Sequence, residues 1–286
     1  RGILFFNSHE FIQKNKPRFF IFENVKGLLS HDNGKTFQEW LNFLGGKSIN
    51  GLPVLFADEN AVPYHIYYKV INSKNLNVPQ NRERVFIIGI KDDKDNVFQF
   101  PKDEPLTKKL KDVLENEVDE KYFLDEKKVN EMLLNTNNSQ ESKIISYTRC
   151  VKTVKILNRP LKDISNTLHT ASGGGGNTDQ FVLVKSANSK GYEEATEGDS
   201  INFTRLHSET RRGRVGKQIA QSLECISNQA TLKQDTIRRL TPRECFRLMD
   251  FPETFTWSCS DSQAYKQAGN SIVVKCLEKI IAKLKL

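Results

Sequence analysis

Phe19-Phe20-Ile21-Phe22-Glu23-Asn24-Val25 and, further along, Gln80-Asn81-Arg82-Glu83-Arg84-Val85-Phe86-Ile87-Ile88-Gly89 decide how this chain is read. The first stretch is an apolar run of the buried-strand type that delivers a carboxylate at its carboxyl end. The second brings two arginines at i, i+2 spacing just ahead of another apolar run. Both arginines share one face if that segment is extended. A carboxyl able to hydrogen-bond a heterocycle edge, backed by guanidinium groups, is equipment for handling a polar base beside phosphates.

Outward from these two stretches, helix and strand alternate. Residues 3–15 read as a helix with Leu4, Phe5, Phe11 and Ile12 on one side, ended by Pro17. Lys26–Ser30 reads as a loop or turn, Lys35–Leu44 as a second helix, and Tyr64–Ile71 as a strand alternating through Tyr64, Ile66, Tyr68 and Val70. The pattern up to about residue 95 is that of an α/β layer. Three strands are expected, few for an open sheet. The resulting uncovered edge predicts poor stability for the chain alone. After Asp92-Asp93-Lys94-Asp95 the sequence turns polar, and residues 96–235 read as a second, loop-rich domain. Within it Leu133–Ser142 reads as a surface loop. Ser172-Gly173-Gly174-Gly175-Gly176-Asn177 reads as a glycine loop ahead of the strand-like Phe181–Val184. Thr241–Met249 reads as a helix, with Thr241 as cap, Pro242 in the first turn and Glu244 at capping-box spacing. Ser271–Leu286 carries a helical apolar–basic pattern. The expected division is 1–95, 96–258 and 259–286.

The 286 residues are 37% hydrophobic and 27% charged, the balance of a globular chain. No apolar stretch approaches the roughly 20 residues a membrane helix needs, and no secretory signal is visible. The chain opens on Arg1 and is read as one whose beginning lies elsewhere. A net charge of +8 favours polyanionic partners. The segment Arg205–Lys217 concentrates it, with Arg205, Arg211, Arg212, Arg214 and Lys217 against Glu209 alone. The cysteines (Cys150, Cys225, Cys245, Cys259 and Cys276) are odd in number and lack CxxC spacing. A reducing, cytoplasmic setting follows, and no metal site is expected.

Four segments together resemble the C5-cytosine DNA methyltransferase family. They are Arg1–Phe6 leading to Phe22-Glu23-Asn24-Val25, then Val78–Arg84 with its strand. Arg239-Leu240-Thr241-Pro242-Arg243-Glu244 running into Phe251-Pro252-Glu253 is the third, and Gln267-Ala268-Gly269-Asn270-Ser271-Ile272-Val273 the fourth. Each motif is weak alone. Their order, and the long insert between the second and third, make the set specific over nearly the whole chain. The resemblance implies an incomplete Rossmann-like methyltransferase sheet with a loop-rich target-recognition domain. It also implies a glycine loop for S-adenosylmethionine and a Pro-Cys loop with the nucleophilic thiol, both upstream of this chain. No Pro-Cys pair occurs among the 286 residues, so the chain alone is expected to be inactive and to need a missing amino-terminal portion or partner subunit.

The residue roles implied by the resemblance follow the chemistry. A thiolate adds to C6 of cytosine to make C5 nucleophilic. Glu23, protonated, would donate to N3 while accepting from the exocyclic amine. Arg84 would bond O2, where charge builds. Arg82 would position the thiol loop or a phosphate, and Gln80 would support the same loop beside DNA. Leu4, Asn270, Ser271 and Ile272 would face the cofactor. The insert would read a double-stranded site around a flipped base, with Gly174, Gly175, Arg211, Arg212 and Arg214 as DNA contacts. Arg239 and Arg243 would brace the small domain. A restriction–modification setting is expected. A non-catalytic DNA-binding subunit on the same scaffold and a tRNA cytosine methyltransferase are the alternatives.

Overall fold

Pro17 stops the first helix, and a strand able to be buried follows at once. The computed structural model describes residues 3–133, 145–150, 153–158, 181–233 and 236–285. In chain order the first elements are α1 (Ile3–Asn15), β1 (Phe19–Val25), α2 (Lys35–Leu44), β2 (Ser48–Ile49), β3 (Leu52–Pro53), β4 (His65–Asn72), β5 (Gln80–Asn81) and β6 (Glu83–Ile90). Then come α3 (Glu126–Met132), β7 (Ile145–Cys150), β8 (Thr153–Asn158), β9 (Phe181–Lys185), β10 (Tyr192–Thr196), β11 (Ser200–Asn202), β12 (Val215–Gly216) and β13 (Ala220–Gln221). The last are β14 (Gln229–Lys233), β15 (Thr236–Arg239), α4 (Pro242–Leu248), α5 (Asp261–Asn270) and α6 (Val274–Ile281). The chain packs as two compact units. One comprises the chain through Asn77, residues 82–105 and the chain from Ile272. The other comprises Val78–Asn81 and Leu106–Ser271.

In the first unit the sheet order is β1-β6-β4-β2-β3. β1 and β4 both run antiparallel to the central β6. Val85 to Ile90 are accordingly buried on both faces, which is why that run is apolar without alternation. The sheet has five strands where three were expected. β2 and β3 are two-residue strands around Asn50-Gly51, both at positive φ, and so short a hairpin leaves no periodic signal. α1 and α2 cover one face. Phe5 stacks on Trp40 with ring centroids 4.3 Å apart, in one core with Phe20, Tyr64, Ile66, Val85 and Ile87. Gly89 lies opposite Phe20 in register, and a Cβ there would run into the Phe20 ring. The loop or turn expected at Lys26–Ser30 is a 3-10 segment, Lys26–Gly34, kinked at His31, Asp32 and Asn33.

The second unit is richer in strands than its loop-like sequence suggested. A four-stranded sheet runs β12-β11-β14-β15, beside the pairs β9–β10, β7–β8 and β5–β13. Its core gathers Val182, Val184, Ala195, Ile201, Ala230, Leu232 and Ile237. These strands are short, and the buried polar residues Asp199, Ser200, Asn202, Gln229 and Thr231 interrupt their apolar pattern. α4 starts as its sequence demands. Glu244 N donates to Thr241 Oγ1 at 3.2 Å, and Thr241 N donates to Glu244 Oε2 at 2.8 Å. α5, grouped with the terminal helix on sequence, packs in this unit. The glycine loop at Ser172–Asn177 and most of Leu133–Ser142 lie outside the described residues.

Candidate active site

In the β1–β6 register Glu23 stands opposite Phe86, and Val25 opposite Arg84. Positions 23 and 84 are therefore diagonal neighbours on one face of the pair. Their side chains meet, with Arg84 Nε 2.9 Å from Glu23 Oε1 and exposures of only 17% and 16%. The N–H is poorly aligned, so the contact is an ion pair rather than a formed hydrogen bond. Oε1, shielded from solvent, still lacks a well-directed donor. Arg84 Nη1 donates instead to the Glu83 carbonyl at 2.8 Å. Burial pushes the Glu23 carboxyl above its ordinary 4.5, and the attraction of Arg84 and then Arg82 only partly offsets it.

Arg82 is 3% exposed. Its backbone N donates to Asn72 Oδ1 at 3.2 Å, and its carbonyl accepts from Ser73 N at 3.1 Å. Asn72, which ends β4, thus fixes the chain where Arg82 begins its approach to Glu23. The sequence reading missed Asn72; an asparagine at a strand end was its only signal. The structure therefore brings Glu23 and Arg84 together, with the charge of Arg82 near enough to act on the same carboxyl. It does not leave Gln80 at a surface. Gln80 is fully buried, and its Nε2 donates to the Leu248 carbonyl at the end of α4, 3.0 Å away. The expected DNA contact at Gln80 gives way to a structural one.

At the other motif, α5 ends on Asn270, which is exposed. Cys225 Sγ donates to Asn270 Oδ1 at 2.9 Å, and Gly269 lies so close to Glu224 and Cys225 that a Cβ would strike their backbone. Ser271 Oγ donates to the Ala268 carbonyl at 2.8 Å, so its hydroxyl proton is spent closing the helix. Leu4 is 73% exposed on α1, and Ile272 is half-buried. The expected cofactor residues fall in different units, Leu4 and Ile272 in the first and Asn270 and Ser271 in the second.

The basic segment sorts inward and outward. Arg214 is 1% exposed, with Nη1 donating to Thr204 O at 2.9 Å and Nη2 to Arg205 O at 2.6 Å. It braces the loop, so the expected DNA contact there is replaced. Glu193 grips the same backbone, accepting from Gly213 N and Val215 N at 2.8 Å each. Arg211 and Arg212 stay near the surface: Arg211 lies 3.8 Å from Glu224, and Arg212 Nε donates to Ala187 O at 3.3 Å. Gly174 and Gly175 fall outside the described residues. Arg239 donates to the Lys121 carbonyl, and Arg243 donates to the Phe255 carbonyl and lies over Trp257, bracing contacts as expected. Burial pushes the Cys245 thiol far above its usual range, the wrong direction for a thiolate nucleophile.

The family model of the C-5 cytosine-specific DNA methylases matches residues 1–286. The chain is 30% identical to the orphan methyltransferase M.SPRI of Bacillus phage SPR, covering 99% of this chain and 76% of that protein. It is 29% identical to the type II methyltransferase M.DsaV of Dactylococcopsis salina, covering 99% of this chain and 61% of that one. Among solved structures, the S. pombe Dnmt2 methyltransferase superposes with a TM-score of 0.45 at 20% identity, covering 93% of this chain and 66% of that one. The chain belongs to the C-5 cytosine-specific DNA methylase family.

Proposed function

We propose that this chain carries the base-handling part of a DNA cytosine-5-methyltransferase that acts on a short duplex site in the cytoplasm, within a restriction–modification setting. One observation carries the reading: a shielded carboxyl with a raised pKa and an under-satisfied oxygen, facing two arginines. Held neutral, Glu23 donates its proton toward N3 of an extruded cytosine, and its other oxygen accepts from the exocyclic amine. Arg84 turns from Glu23 to the O2 side, where its charge stabilises the electron density that builds during attack at C6. Arg82, fixed through Asn72, keeps a second positive charge beside the same carboxyl. S-adenosylmethionine, when bound, supplies an electrophilic methyl group. Leu4 and Ile272, both in the first unit, offer it apolar contacts. Arg211 and Arg212 reach phosphates or guanine edges.

The thiol for C6 is supplied by a Pro-Cys loop that these 286 residues do not contain, so the chain alone does not turn over. Incubation with methyl-labelled S-adenosylmethionine and duplex DNA, followed by nucleoside analysis, tests both statements. The full-length gene product is expected to form 5-methylcytosine, and the 286-residue chain is expected to form none. Methylation at adenine N6 or cytosine N4, or of tRNA in preference to duplex DNA, contradicts the reading.

A further inference from the structure

The arginine motif divides between two packing environments. The chain leaves the first unit after Asn77, spends Val78–Asn81 in the second, and returns at Arg82. In the second unit this short segment is tied at several points. β5 pairs in parallel with β13, Gln80 opposite Ala220 and Asn81 opposite Gln221. Ala220 N donates to the Pro79 carbonyl at 2.8 Å, and Ser222 Oγ donates to the Asn81 carbonyl at 3.1 Å. A two-residue ladder is marginal by itself. The buried Gln80 amide adds its 3.0 Å bond to the Leu248 carbonyl, and a buried donor is costly to leave unpartnered. One peptide bond later Arg82 is held by Asn72 and Ser73.

We propose that Gln80 and the segment Ala220–Ser222 are positioning residues, which hold β5 in register so that Arg82 and Arg84 meet the Glu23 carboxyl. The hold reaches Arg82 along the chain itself, through the Asn81–Arg82 peptide bond. This inference rests on the reading of Glu23, Arg82 and Arg84 given under Proposed function. It gives the buried Gln80 a task that contact with nucleic acid cannot, and it makes β13, in the insert, a contributor to the geometry of the arginines.

Two substitutions test it. Gln80→Leu removes the amide at similar volume, and Ser222→Ala removes a single bond at a half-buried site with little risk to folding. In the 286-residue chain, backbone hydrogen exchange at Arg82 should quicken by about tenfold in Gln80→Leu and by less in Ser222→Ala. The carbon-13 titration midpoint of the Glu23 carboxyl should rise in the same order, because two charges that lower it become less fixed. In the full-length product, kcat should fall by about tenfold to a hundredfold with KM for DNA unchanged. If both variants fold and neither exchange nor titration moves, the inference is overturned; if Gln80→Leu does not fold, Ser222→Ala alone decides it. A wild-type product that forms no 5-methylcytosine overturns the function, while the exchange result still judges the positioning role separately.

Discussion

The Glu23 carboxyl lies 2.9 Å from a guanidinium, yet its pKa stands above the ordinary value. At this residue the loss of hydration outweighs the attraction of Arg84 and Arg82, in that order. The balance has a measurable consequence for folding. A carboxyl whose folded pKa is raised adds stability fully below its unfolded value. That stability is lost as pH rises through the folded value. The stability of the wild type relative to Glu23→Gln should therefore fall as pH is raised from about 4 through the range above 4.5. Urea unfolding of the 286-residue chain at a series of pH values measures it, and a difference that grows with pH would mean that the arginines prevail over burial. The shared face of Arg82 and Arg84 was legible in sequence, because i, i+2 spacing is a local property; their meeting with Glu23 depends on the pairing of β1 with β6 and was expected only from the family resemblance. The inward turns of Gln80 and Arg214 were not legible. Which way a polar side chain faces is set by carbonyls contributed from distant segments, Leu248 in one case and the neighbouring loop at Thr204 and Arg205 in the other.

Among the elements, α4 shows how much a correct local reading can omit. Thr241, Pro242 and Glu244 announced the helix start, and the cap is formed. Arg238, on the preceding strand β15, lies across the same carboxylate at 2.6 and 2.8 Å, with exposures of 2% and 0%. Glu244 also accepts from Glu115 N at 2.7 Å. The cap is thus the centre of a buried network joining β15, the Glu115 turn and α4. Removing one partner of such a pair leaves a charge uncompensated. Arg238→Met is expected to destabilise the second unit by about 3–5 kcal/mol, where a solvent-exposed pair would cost under about 1 kcal/mol. Denaturant unfolding of the variant checks this; a loss under about 1 kcal/mol would mean the network relaxes around the gap. The short strands of this unit escaped the sequence reading for a related reason. Asp199 and Glu193 satisfy backbone N–H groups that longer strands would satisfy by pairing, so polar residues occupy core positions. A pattern built on apolar periodicity passes over them.

At the scale of the whole molecule, the family match over residues 1–286 and the α/β architecture agree on what kind of protein the chain belongs to. The four motifs were legible through their order and the long insert between the second and third, since each is weak alone. The expected cofactor residues divide: Leu4 and Ile272 belong to the first unit, and Asn270 and Ser271 to the second. The function proposed for the chain rests on one neutral carboxyl, Glu23, set against arginines and activating the target base. The most direct test is the single-turnover rate of methyl transfer to duplex DNA by the full-length product and by its Glu23→Gln variant. The variant's rate is expected to be lower by about 10²–10⁴-fold with DNA affinity retained. A variant that transfers methyl groups at the wild-type rate would contradict it.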